Sequence, residues 1–98
     1  MPDLTVLDFT ARWCAPCKTM AAVLDALAPI YADRVQFVAV DVDDEPDRAQ
    51  QFLVKSMPTL VLLRGGREVG RVVGARSRAF VAGMLERALA GDVAITAP

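Results

Sequence analysis

The stretch Trp13-Cys14-Ala15-Pro16-Cys17-Lys18 holds the two cysteines and the one tryptophan of a 98-residue chain. Cysteines two residues apart bring their sulfurs together when the first stands at a helix N-terminus and the second lies one turn inside. At such an end the first four N–H groups lack intrahelical partners, and the helix dipole places partial positive charge there. A thiolate on Cys14 is stabilised by that field, which lowers its pKa and makes it a nucleophile near neutral pH. Pro16 suits a first turn, where its missing N–H costs nothing. Lys18 adds one more positive charge.

The rest of the chain reads as elements arranged around that motif. Residues 4–9 form a short, mostly apolar strand interrupted by Thr5 and Asp8, and residues 10–12 turn into the cysteines. From Ala15 to about Tyr31 the spacing is helical, with Met20, Val23, Leu24, Leu27 and Tyr31 on one stripe. Pro29 should kink or stop that helix. Residues 35–40 are β-branched and apolar, as in a strand buried on both faces. Strand, helix and strand in so short a span make a βαβ unit. An acidic loop, 41–47, follows, and Pro46 opens a short helix running to about Leu53, with Asp44 or Glu45 near its cap. Residues 59–63 form a strand, Gly65-Gly66 a two-residue hairpin turn, and 68–73 the return strand. Ser77 caps a last helix whose stripe is Phe80, Val81, Met84, Leu85, Ala88 and Leu89, closed by Gly91.

Composition narrows the function classes. The hydrophobic share of 54% is high for so short a chain, enough for one small domain with its own core. A formal net charge of -1 makes neither nucleic acid nor an acidic membrane an expected partner. Residues 1–50 carry four Lys/Arg against nine Asp/Glu, and residues 51–98 carry seven against three. That asymmetry reads as two solvated faces of opposite sign, the alternative being a basic rim that steers an acidic partner. Met1-Pro2-Asp3 is not a basic leader, and no apolar run approaches the roughly 18 residues of a membrane span. The expectation is a soluble, cytoplasmic protein, and in a reducing compartment close cysteines are catalytic rather than structural. A zinc or iron–sulfur site needs more ligands than two cysteines, and the chain has no histidine, so metal enters only as a centre shared between two chains.

The order β-α-β-α-β-β-α resembles the thioredoxin family over residues 4–90. The resemblance is carried by Trp-Cys-X-Pro-Cys-Lys after the first strand, Asp8 six positions before Cys14, Met57-Pro58-Thr59 before the third strand, and the Gly-Gly hairpin. It implies a thioredoxin-like α/β fold: a four-stranded mixed sheet with helices on both faces, in a single domain spanning 1–98, with 91–98 as a loose tail. It also implies a thiol–disulfide oxidoreductase that reduces protein disulfides through a Cys14–Cys17 dithiol/disulfide, with no other cofactor and no metal. Cys14 would attack the target disulfide and Cys17 would resolve the mixed disulfide. Asp8, flanked by Leu7 and Phe9, would help take the proton from Cys17, since a carboxyl in apolar surroundings exchanges protons nearer neutral pH. Pro58 is expected to be cis and to face the cysteines, leaving the Met57 backbone to pair with a substrate strand. Trp13 would form an apolar rim, and Gly74 with Ala75 would complete the docking groove. Disulfide-containing proteins are the implied substrates and a thioredoxin reductase the implied electron source.

The sequence departs from the family pattern at several points. Ala39 stands where a lysine near the Asp8 position is common, so Asp8 should be harder to ionise. Thr10 replaces a second tryptophan, Ala15 a glycine between the cysteines, and Ala22 a helix-kinking proline. Leu4 follows Met1 closely, so a strand and helix usual before Asp8 are expected to be missing. Residues 35–40 would then be a free sheet edge, inviting a homodimer or another partner along it. These departures support an alternative, a weakly active or non-catalytic thioredoxin-like interaction module. The Ala-Pro pair between the cysteines nonetheless resembles the reducing Gly-Pro type.

Overall fold

The computed structural model describes residues 2–91 and the backbone of 95–97. β1 (Leu4–Thr10) and β2 (Val35–Asp41) run parallel, joined by α1 (Ala15–Tyr31). α2 (Pro46–Gln51) leads to β3 (Thr59–Arg64), which lies antiparallel to β1 on its other side and to β4 (Arg67–Val73). α3 (Arg78–Leu89) follows. These strands make the expected four-stranded mixed sheet. A three-residue strand, β5 (Ile95–Ala97), lies parallel to β4 within the stretch read as a loose tail, so the full order is β2-β1-β3-β4-β5.

Successive side chains of a strand point to opposite faces, and β1 uses both. Leu4 and Val6 pack with Met20, Leu24, Leu27 and Tyr31 of α1 and with Val81, Met84, Leu85 and Ala88 of α3. Leu7 and Phe9 pack with Val40, Val61 and Ala49 of α2, and Phe52 and Val54 close the layer. Helices therefore cover both faces. Each large apolar side chain buried this way is worth about 1.5–3 kcal/mol. The odd member of the α1-facing row is Asp8, which falls in step with Leu4 and Val6.

Three local readings need correction. Pro29, expected to kink or stop α1, does not stop it: the helix runs two residues further. A proline there removes the bond to the carbonyl of Asp25, an exposed residue of α1. β2 is not buried on both faces: only Val35 and Val40 are buried, and Gln36 and Ala39 are exposed. Among the described residues its one strand neighbour is β1. α2 ends at Gln51, and Leu53 beyond it adopts φ 56° and is exposed. Elsewhere the local chemistry is as expected. Gly65 and Gly66 take φ 58° and 79°, the positive values that a two-residue turn of this hand requires. The Ser77 side chain accepts the Phe80 N–H at 3.1 Å, and Gly91 closes α3 at φ 92°.

Candidate active site

The β1–α1 turn delivers the cysteines to the C-terminal end of β1. Cys14 is the N-cap of α1, in extended conformation, and Cys17 lies in the first turn. Their Cα atoms are 5.3 Å apart and the two are disulfide-bonded. The Cys17 N–H points at Cys14 Sγ from 3.2 Å. Sulfur thus occupies the place of the oxygen that usually caps a helix, so a Cys14 thiolate would be held by a backbone N–H and by the helix dipole together. Cys14 is 5% exposed and Cys17 2%, so both are largely covered and Cys14 is the less covered of the two.

The opposite wall is the loop before β3. The Met57–Pro58 peptide bond is cis. The Met57 carbonyl oxygen lies 3.7 Å from Cys14 Sγ, and Met57 packs against the cluster of Ala11, Cys14 and Cys17. Gly74, at φ 90°, donates its N–H to the Pro58 carbonyl at 2.8 Å. Met57, Pro58 and Gly74 are therefore joined on one side of the sulfurs, and Ala75 beside them is exposed. Trp13 is 68% exposed, a rim residue and not core.

The acidic loop after β2 holds the cysteine turn in place, a role the sequence reading did not assign. Arg12 donates to Asp44 at 2.7 Å and lies 3.8 Å from Asp41. Trp13 Nε1 donates to Asp43 at 2.9 Å, and Asp41 accepts the Asp43 N–H at 2.9 Å. The clue in the sequence was the density of carboxylates at 41–47 facing a lone Arg-Trp pair some thirty residues away.

Asp8 lies in a neighbouring cavity. It is 6% exposed, and among the described residues its Oδ1 has no hydrogen-bond partner. Burial, and after it the negative charge of Asp25, push its carboxyl from the ordinary 3.8 up to about 6. Ala39 stands directly across from Asp8 in the β1–β2 register. Lys18 lines a cleft with Cys17, Arg12, Ala21 and Asp41, and Ala21 also lines the cavity of Asp8. Ala21 thus borders both the cleft of Cys17 and the cavity of Asp8. Among the described residues no group of three or more histidine, cysteine or carboxylate side chains is placed to hold a metal ion. No described helix is long and apolar enough to cross a membrane.

A paired sulfur at a helix tip, bonded to its neighbour, has one main chemistry, the exchange of its bond with another disulfide. The chain is a thiol–disulfide oxidoreductase. The family model for thioredoxin matches residues 2–87. Over 90 residues the chain is 44% identical to Thioredoxin-2 of Saccharomyces cerevisiae, covering 92% of this chain and 81% of that one. It is 51% identical over 72 residues to Thioredoxin H2-1 of Oryza sativa subsp. japonica, covering 74% of this chain and 51% of that one, about half its length. The crystal structure of the germline-specific thioredoxin Deadhead of Drosophila melanogaster matches with a TM-score of 0.82 at 35% identity, over 87% of this chain and 80% of that one. The chain belongs to the thioredoxin family.

Proposed function

We propose that the chain reduces disulfides in protein substrates, with Cys14 as nucleophile, Cys17 as resolving thiol and Asp8 as the group that takes the Cys17 proton. The Cys14 thiolate attacks one sulfur of the target. A Cys14–target bond forms as the target's own S–S bond breaks, and the departing thiolate takes a proton from water. Cys17 then gives its proton toward Asp8, with water as carrier past Ala21, and attacks Cys14 Sγ. The Cys14–Cys17 bond closes and the second target thiolate leaves, so two electrons have passed from the dithiol to the target. The disulfide itself is the redox group, and no metal or other cofactor takes part.

The observation that carries this reading is the Cys17 N–H at 3.2 Å from Cys14 Sγ, with the Met57 carbonyl 3.7 Å away on the substrate side. A target strand laid along Met57, Pro58 and Gly74, under the rim of Trp13, would bring its sulfur to Cys14 by backbone pairing that makes little demand on sequence. Restoring the dithiol needs an outside two-electron reductant, for which a thioredoxin reductase is the partner of choice. A dithiol that must stay reduced suits electron transport and redox homeostasis in the cytoplasm. The outer edge of β2, with no lysine, proline or bulge to blunt it, favours a homodimer through that edge.

A second reading is a poorly active interaction module, favoured by the unpartnered Oδ1 of Asp8. Insulin reduction driven by dithiothreitol separates the two. The oxidoreductase reading expects turnover that Cys14→Ser abolishes, and a Cys17→Ser variant that accumulates a mixed disulfide. A rate unaltered by Cys14→Ser leaves only the module.

A further inference from the structure

Asp8 lines a cavity of about 180 Å³ with Ala21, Leu24 and Asp25 of α1 and Phe37, Val38 and Ala39 of β2. The cavity exists because the register sets Ala39 across from Asp8, and a methyl group cannot fill the space. Among the described residues Asp8 Oδ1 has no protein partner. Among the described residues lining the cavity, the one charge besides Asp8 is Asp25 of α1. β2 contributes Phe37, Val38 and Ala39 to the wall, and β3 sets Leu60 opposite Asp8. The next charges along these elements, Lys18 and Asp41, line the separate cleft of Cys17, where Arg12 lies against Asp41 at 3.8 Å.

We propose that Asp25 is a positioning residue for the exchange reaction: its negative charge across the cavity keeps the proton on Asp8, and so sets the pH above which Cys17 can pass a proton to that carboxylate. The proposal rests on the function given above. Two like charges around one cavity disfavour joint ionisation, and among the described residues no cation lies in its wall to offset them. The ordering of effects agrees, with burial first and Asp25 second in pushing Asp8 up. Asp25 touches neither sulfur, and its influence on the reaction passes through Asp8. Being exposed on α1, it can be replaced without disturbing the core.

The test is a carbon-13 NMR titration of the Asp8 carboxyl in the oxidised chain, beside the pH profile of insulin reduction. Both are measured for the wild type, Asp25→Asn and Asp25→Glu. Asp25→Asn is expected to lower the Asp8 midpoint by about half a pH unit, and to move the acid limb of the profile the same way by the same amount. Asp25→Glu restores both, and added salt narrows the gap between wild type and Asp25→Asn. A midpoint that stays put in Asp25→Asn overturns the proposal, as does a midpoint that moves while the acid limb does not. A wild-type chain that reduces no insulin defeats the functional reading instead, and with it the link from Asp25 to the reaction. An active wild type with an unmoved Asp25→Asn defeats this proposal alone.

Discussion

Replacing Asp8 by alanine should stabilise the protein at neutral pH and leave it no more stable in acid. In the unfolded chain this carboxyl titrates at the ordinary 3.8, whereas in the fold burial and then Asp25 push it up to about 6. The native state therefore holds the proton more tightly than the unfolded state does. The sign follows: stability linked to that proton is present in full below 3.8 and is lost as pH rises through about 6. Above that range the fold carries an ionised, buried carboxylate. At about 1.36 kcal/mol per pH unit, the distance from 3.8 to about 6 corresponds to about 3 kcal/mol. Water in the open cavity and the contacts that alanine gives up reduce this, so about 2 kcal/mol is the expected gain near pH 7.5. For a domain of this size that raises Tm by about 10 °C. Below about pH 4 the gain vanishes or reverses, because a neutral carboxyl costs little and packs better than a methyl group. Urea melts of the oxidised chain at the two pH values measure it, and an unchanged slope shows that stability alone has moved. A gain equal at both pH values, or a loss at neutral pH, would refute the reasoning. The same variant should reduce insulin more slowly, since the stability cost of Asp8 is the other side of its ability to take a proton.

Tyr31→Phe removes the hydrogen bond at 2.7 Å through which α1 reaches Glu86 of α3. It should cost about 1 kcal/mol in urea melts, the ordinary worth of a partly exposed bond. Sedimentation at rising concentration should show self-association through β2, and a clean monomer at high micromolar concentration would exclude the proposed homodimer.

Where periodicity and punctuation agree, the elements were legible. The α1 and α3 stripes, the Ser77 cap and the Gly65-Gly66 turn each need only a few neighbouring residues to declare themselves. Legibility failed where a neighbour in space decides. Residues 35–40 look like a strand buried on both faces, because composition records what a side chain tolerates and not what covers it. Its edge position was expected, and among the described residues β1 is its one strand neighbour; the exposure of Gln36 and Ala39 was not. Pro29 was read as a kink or a stop, yet it stands only two residues before the helix end and α1 runs on through it. β5 pairs through three residues, too few for any alternation to be read.

The site divides the same way. Cys14 and Cys17 were legible because their chemistry is local, fixed by a spacing of three and a helix start. Asp8 stood out as an acid within an apolar strand, and the resemblance supplied its role. Asp25 could not be seen. Eight residues beyond Cys17, on the exposed flank of α1, it has the appearance of any solvated helix acid, and only the Asp8–Ala39 register makes it matter. Ala39 and Asp25 act on Asp8 in opposite senses. A small side chain at 39 opens the cavity and lets water soften the burial of the carboxyl, while the charge at 25 resists its ionisation. A larger apolar residue at 39 would exclude that water and push Asp8 further up, and Asp25→Asn would bring it down. Two surface positions that look unremarkable in the sequence therefore bracket the protonation of the buried acid that, on the proposed function, takes the resolving proton.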